Sequence, residues 1–234
     1  TGTESTAVGY ASCATADNSS AFGFNAKATG DDSSAFGRNT TAEGLASFGA
    51  GYLSHADGRA DVALGYQATT LEYAGAANQC PRYNISIGAF TEACNAYFCA
   101  TTTISLPAVA IGYRSCATSC MSLSVGICSQ ATSHYTQSFG YHACATGASS
   151  SALGNDSCST GLASTAVGFR SCSTNSYSSA FGYCAVVGTY GHMALGVFDS
   201  GDWVCTNGGI CAVGDMVACT SDRRLKCNIL TITC

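Results

Sequence analysis

The residues best equipped for chemistry are sixteen cysteines in a chain of 234. A thiolate is a nucleophile and a soft-metal ligand, and two thiols can oxidise to a disulfide. Cys144, Cys158 and Cys172 recur at one phase, with Cys13 and Cys116 in the same column. Cys205, Cys211, Cys219, Cys227 and Cys234 crowd the C-terminal end, and Cys80, Cys94 and Cys99 lie in two stretches that break the phase. These last two groups are the disulfide candidates. No Cys-x-x-Cys pair occurs, so the spacing does not describe a zinc knuckle. His55, His134, His142 and His192 share no phase and read as surface residues. No metal and no cofactor is expected.

The elements that position these side chains follow from composition and period. Charged residues make up 10%, well below the usual quarter. Glycine is abundant, at 27 residues, and only Pro81 and Pro107 interrupt the chain. Long apolar side chains are too few for an ordinary core. Yet a net charge of -5 with low polarity does not describe a disordered chain. A repeat can bury small residues regularly, and one is present: Ala7-Val8-Gly9, Ala21-Phe22-Gly23, Ala35-Phe36-Gly37, Ala110-Ile111-Gly112 and onward to Ala194-Leu195-Gly196. From Gly112 to Gly196 every step is 14 residues. Small residues three and five places after the glycine, such as Ser115 and Ala117, give the spacing of two that marks a strand. The sequence therefore predicts an all-β, parallel β-solenoid. Each rung has two short strands and two tight turns, with Gly30, Gly44, Gly147 and Gly161 supplying positive φ at corners. About fourteen rungs at the strand spacing would make a rod about 65 Å long. Around Phe48-Gly49-Ala50-Gly51 the tripeptide slips, which reads as a displaced turn.

The apolar residue before each glycine forms a column: Val8, Phe22, Phe36, Ile111, Val125, Phe139, Leu153, Val167, Phe181 and Leu195. So long an apolar stripe on so thin a rod marks an interface, and threefold packing along it is the natural solution. The cysteine column obeys the same stacking. In-register residues sit about 4.8 Å apart, beyond the disulfide Cβ separation of about 3.8 Å. A ladder of free or buried thiols is expected there, not rung-to-rung bridges.

The unit Ala-(Ile/Val/Phe)-Gly-x-x-Ala-x-Ala-x-Gly resembles the head repeat of trimeric autotransporter adhesins, the YadA-like heads. The resemblance runs from residue 1 to about residue 200. It implies a left-handed parallel β-roll and a tight homotrimer. The cysteines and two irregular rungs depart from the pattern. Gly65 to Gly88 is 23 residues and Gly88 to Gly112 is 24, so each holds a rung plus an insertion, leaving near Thr70 and near Ala93. Tyr73, Arg82, Tyr83, Tyr97 and Phe98 lie in these stretches. Loops on a rigid scaffold tend to carry binding, and Tyr and Arg are favoured anchors. These five are the receptor-binding candidates.

After Gly196 the period breaks. Residues 201–220 hold Trp203 and read as a neck or cap over the open sheet end. Ser221-Asp222-Arg223-Arg224-Leu225-Lys226-Cys227-Asn228-Ile229 then resembles the opening of the endosialidase-type intramolecular chaperone, a self-cleaving family at the ends of phage and viral fibres. The resemblance implies Ser221 as nucleophile and Lys226 as base, since a Ser hydroxyl needs a neighbouring base and a desolvated Lys can serve. Only 14 residues run from Ser221 to the end, so autocleavage would need the rest of such a domain. The chain starts at Thr1 and not at Met, and reads as a fragment or processed piece.

Together these readings describe a trimeric fibre or head protein of a virus or phage, displayed on a virion or otherwise extracellular. It would be structural and bind a host cell-surface receptor, protein or glycan, and it would not be an enzyme. A bacterial autotransporter head and a purely structural virion spacer are the alternatives. The nine Lys and Arg form no basic stripe, so nucleic acid is not an expected partner. No run of 18 apolar residues occurs, so this segment is not expected to insert into a membrane.

Overall fold

The computed structural model describes residues 2–71, 83–94 and 107–195. Every regular element among them is a β-strand, from β1 (Thr6–Val8) to β25 (Met193–Leu195) in chain order. Odd-numbered strands form one 13-stranded parallel sheet and even-numbered strands a 12-stranded one, each in sequence order. This is a parallel β-solenoid of about twelve turns, all within the compact unit Thr1–Val197. The count falls short of the fourteen expected because two rungs are lengthened by insertions. No helix long and apolar enough to cross a membrane occurs among the described residues.

Register holds throughout, and it corrects the displaced turn. In β5 (Ser34–Arg38), β7 (Phe48–Tyr52) and β9 (Val62–Tyr66), Gly37 pairs with Gly51 and Gly51 with Gly65. Gly49 pairs with Ala35 and Ala63, and Ala50 with Phe36 and Leu64. The rung is regular; only its residue types differ, glycine in the alanine slot and alanine in the apolar slot.

Four inward columns fill the space between the sheets, and they are nearly all Ala, Ser or Thr. Ala21, Ala28, Ala35, Ala42, Ala117, Ala131 and Ala145 are fully buried. Among the described residues the largest fully buried side chain is only Asn84. So little apolar surface cannot hold the sheets by itself, and the buried hydroxyls bond to each other. Ser115 donates to Ser124 at 2.9 Å, Ser124 to Ser129 at 2.8 Å and Ser129 to Ser138 at 3.0 Å. A buried hydroxyl chain of this kind is satisfied link by link. Ser33 and Ser47 are the buried hydroxyls without a partner among the described residues.

The corners correct a second expectation. Gly30, Gly44, Gly147 and Gly161 do not have positive φ; residues two places later, Asp32, Ala46, Ser149 and Ala163, do. Glycine is required there by proximity. A Cβ on Gly147 would lie 2.0 Å from the Gly161 carbonyl oxygen of the next rung.

Candidate functional site

The outer face of the 13-stranded sheet carries the apolar column in register. Phe22 stacks on Phe36 with centroids 5.1 Å apart and planes 1° from parallel. Ile111 pairs with Val125 in β13 (Val109–Tyr113) and β15 (Leu123–Val125). Phe139 pairs with Leu153, Leu153 with Val167, Val167 with Phe181 and Phe181 with Leu195. All of these project outward and stay half-buried or exposed; Val8 is 53% exposed. A second apolar column, absent from the sequence reading, runs beside it over the central rungs: Phe48, Val62, Ile85, Val109 and Leu123. It lies two residues before the first. The two columns together make a double-width apolar stripe on the rungs that carry the insertions.

The insertions depart from one corner. β10 (Thr69–Leu71) pairs with β12 (Glu92–Cys94), and Leu71 faces Cys94 in register. Residues 72–82 and 95–106 begin directly after these partners. A buried side-chain relay anchors the corner. Asp61 Oδ1 accepts from the Asn84 backbone N–H at 2.7 Å, and Asp61 Oδ2 from Gly58 N–H at 3.0 Å. Asn84 Oδ1 accepts from Ala108 N–H at 3.0 Å. In regular rungs the equivalent N–H, such as that of Ser33 or Ser164, donates to the carbonyl three residues back. Where an insertion interrupts the turn, a side chain from the preceding rung supplies an acceptor. Burial pushes the Asp61 carboxyl above its ordinary range, against the lowering effect of those donors. Asp61 and Asn84 occupy a column otherwise rich in Ser and Thr. That departure, at the start of the rung that leads into each insertion, was the available sequence signal.

Tyr83, the described member of the receptor-binding set, is 51% exposed and follows the first insertion. Tyr73, Arg82, Tyr97 and Phe98 lie outside the described residues. Beside the same corner Leu53, Gln67, Leu71, Phe90 and Glu92 line an open groove. Phe90 belongs to a ladder that sequence reasoning missed. It runs from Tyr10 stacked on Phe24 (5.1 Å), through Arg38 held 5.5 Å from both Phe24 and Tyr52, to Tyr66, Phe90 and Tyr113. Most of these residues directly follow the repeat glycine, so the 14-residue period places them in one file. Arg114 adds a second guanidinium over Phe90 and Tyr113. The result is an exposed, ordered strip of aromatic and cationic groups.

The cysteine column is in register as expected, and it faces outward. Cys144, Cys158 and Cys172, in β18 (Cys144–Ala145), β20 (Cys158–Ser159) and β22 (Cys172–Ser173), pair successively. They are thiols, half-buried where full burial was the alternative, because they fall between inward positions. A hydrogen bond from Cys158 lowers the Cys144 thiol to about 7, while the same contact and then burial raise Cys158. Burial raises Cys172, and burial with the nearby Glu92 carboxylate pushes Cys116 up to about 11. Cys94 carries a thiol, which corrects its place among the disulfide candidates: it lies on the regular strand β12. Cys120, not among them, is disulfide-bonded. Cys80, Cys99, Cys205, Cys211, Cys219, Cys227 and Cys234 lie outside the described residues, as do Ser221 and Lys226.

The histidines sit at four different rung positions. His142 and Arg170 flank Asp156 at 3.6 and 3.9 Å, and His134 Nδ1 meets Ser119 Oγ at 2.9 Å. Glu43, His55 and Asp57 bring three potential ligand atoms within 4.8 Å of one another at the surface, a grouping the sequence reading did not make.

The fold and its outward columns thus define a class, the stacked-rung β-solenoid with small-residue core and apolar flank. Residues 1–26, 14–40, 28–54 and 145–171 match the YadA head domain repeat, so the chain is similar to that repeat over its first rungs and again over residues 145–171. Among solved structures, the crystal structure of the collagen-binding domain of the Yersinia adhesin YadA aligns over 97% of both chains at 17% identity, with a TM-score of 0.30. No curated protein matches the chain.

Proposed function

We propose that the chain is the head of an extracellular trimeric fibre that attaches to a host surface. The observation that carries this is the outward apolar column with its second file over the central rungs. Water contact along so long a stripe is unfavourable by about 25 cal/mol per Å², and two further copies of the same face would remove it. A closed threefold arrangement suits a rod whose stripe runs its whole length. With that face occupied, the insertion corner and the aromatic–arginine strip are the distinctive features left for a receptor. Tyr73, Arg82, Tyr83, Tyr97 and Phe98 are the anchors assigned to it. The matched head repeats support adhesion. The Ser221–Ile229 motif favours a viral or phage fibre over a bacterial head, and Ser221 and Lys226 would cut the chain only within a complete chaperone domain.

Native mass in solution, with and without reductant, tests the reading. A trimer is expected in both conditions. In Ile111→Glu, a carboxylate enters the stripe from each copy at a cost of about 3 kcal/mol per copy. Monomeric roll with unchanged β-sheet circular dichroism is the expected result. A monomeric parent chain in both conditions refutes the trimer.

A further inference from the structure

The Cys144–Cys158–Cys172 ladder lies on the outer face of the 12-stranded sheet, turned away from the apolar stripe, and its role is independent of the trimer. Cys144 faces Cys158 and Cys158 faces Cys172 in unbroken register. Gln130 bounds the file on one side and Val186 on the other, so no charged side chain of the file competes for the thiols. All three are half-buried. Their side chains leave the same face of neighbouring strands at one register position, Cys144 beside Cys158 and Cys158 beside Cys172.

Parallel strands repeat at about 4.8 Å. In-register Cβ atoms share that spacing, wider than the roughly 3.8 Å a disulfide prefers, so it disfavours oxidation between rungs. A tetrahedral thiolate metal needs ligands converging from four directions, and a single file on a flat sheet offers two neighbours at most. Linear two-coordination differs. Two metal–thiolate bonds of about 2.3 Å laid end to end span about 4.6 Å, close to one strand repeat. Soft monovalent cations with a filled d shell, Cu(I) above all, favour thiolate ligands.

We propose that the ladder is a binding site for soft monovalent cations of the Cu(I) class, each held linearly between successive rungs. Three thiols in file make two such positions, Cys144–Cys158 and Cys158–Cys172, with the Cys158 sulfur shared. Each bound sulfur gives up its proton. Filling both positions therefore binds two cations and releases three protons, leaving one net negative charge on the cluster.

The column carries its own control. Cys13 pairs with Lys27, and Cys116 pairs with Glu92 and Gln130. Both are thiols at the same rung position, but Cys94 on the neighbouring strand β12 lies close enough to act on Cys116, so Cys13 is the control. The reduced full chain, in chloride-free buffer without oxygen, is titrated with Ag(I), then pulsed with iodoacetamide and mapped by peptide mass spectrometry. Two equivalents of Ag(I) are expected to slow alkylation of Cys144, Cys158 and Cys172 by about tenfold or more, because a metal-bound sulfur is no longer a free nucleophile, with Cys13 unchanged. Cys158→Ser is expected to abolish protection of both Cys144 and Cys172. Cys144→Ser is expected to keep the Cys158–Cys172 pair, one cation and two released protons. Equal protection of Cys13, or undiminished protection in Cys158→Ser, overturns the proposal.

Discussion

Glycine in this fold serves two demands that substitution can separate. A Cβ on Gly147 would meet the Gly161 carbonyl oxygen at 2.0 Å and the Thr160 oxygen at 2.7 Å, although the Gly147 backbone conformation suits any residue. Gly191 has φ +69, the left-handed region, but nothing lies within 4 Å of its Cβ position. In Gly191→Ala the cost is therefore conformational only, about 1 kcal/mol. In Gly147→Ala the clash is with backbone, which cannot rotate aside. Relief requires the two rungs to part by more than about 1 Å, and the Thr146 N–H to Ser159 carbonyl bond at 3.0 Å lies directly in that gap. Overpacking plus one weakened ladder bond comes to about 2–4 kcal/mol. Urea unfolding followed by circular dichroism gives the two midpoints. Amide exchange should show loss of protection confined to rungs near residues 147–161, since each rung touches only its neighbours. If Gly191→Ala proves more damaging than Gly147→Ala, backbone freedom and not rung proximity explains these glycines, and the reasoning fails.

Two further outcomes follow from the core. Asp61 has its folded-state pKa raised, so the folded chain holds that proton more tightly than the unfolded chain. Its contribution is fully present below the ordinary carboxyl value and is lost as pH rises through the raised value; Asp61→Ser should remove that fall from a plot of urea midpoint against pH, and an unchanged slope would place its origin elsewhere. Ser124→Ala removes one link of the buried hydroxyl chain, but Ser115 still reaches the Ser124 carbonyl at 2.8 Å and Ser129 still donates to Ser138. A loss of about 1 kcal/mol or less is expected, whereas Ser124→Leu should cost about 3 kcal/mol or more, because the sheets have no room for it; equal midpoints for the two variants would contradict a tightly spaced core.

The period was legible because every rung repeats one backbone geometry, so a fixed residue spacing maps directly onto a spatial column. That alone determined the all-β class, the parallel stacking, the outward file from Val8 to Leu195, and the shared departure point of the two insertions. What the period could not convey was which neighbour meets which side chain. Gly49 in an alanine slot looked like a slip until its partners Ala35 and Ala63 showed an unbroken register. The corner glycines looked conformational until the next rung's carbonyls appeared beside them. The relay through Asp61 and Asn84 joins residues 23 positions apart, across an interval that no period predicts. The ring ladder from Tyr10 to Tyr113 changes register at Phe90, where the neighbouring position is Ala89. Sequence by itself determined what repeats. Only the folded chain decided the contacts between rungs, because those depend on the few ångströms separating one backbone from the next.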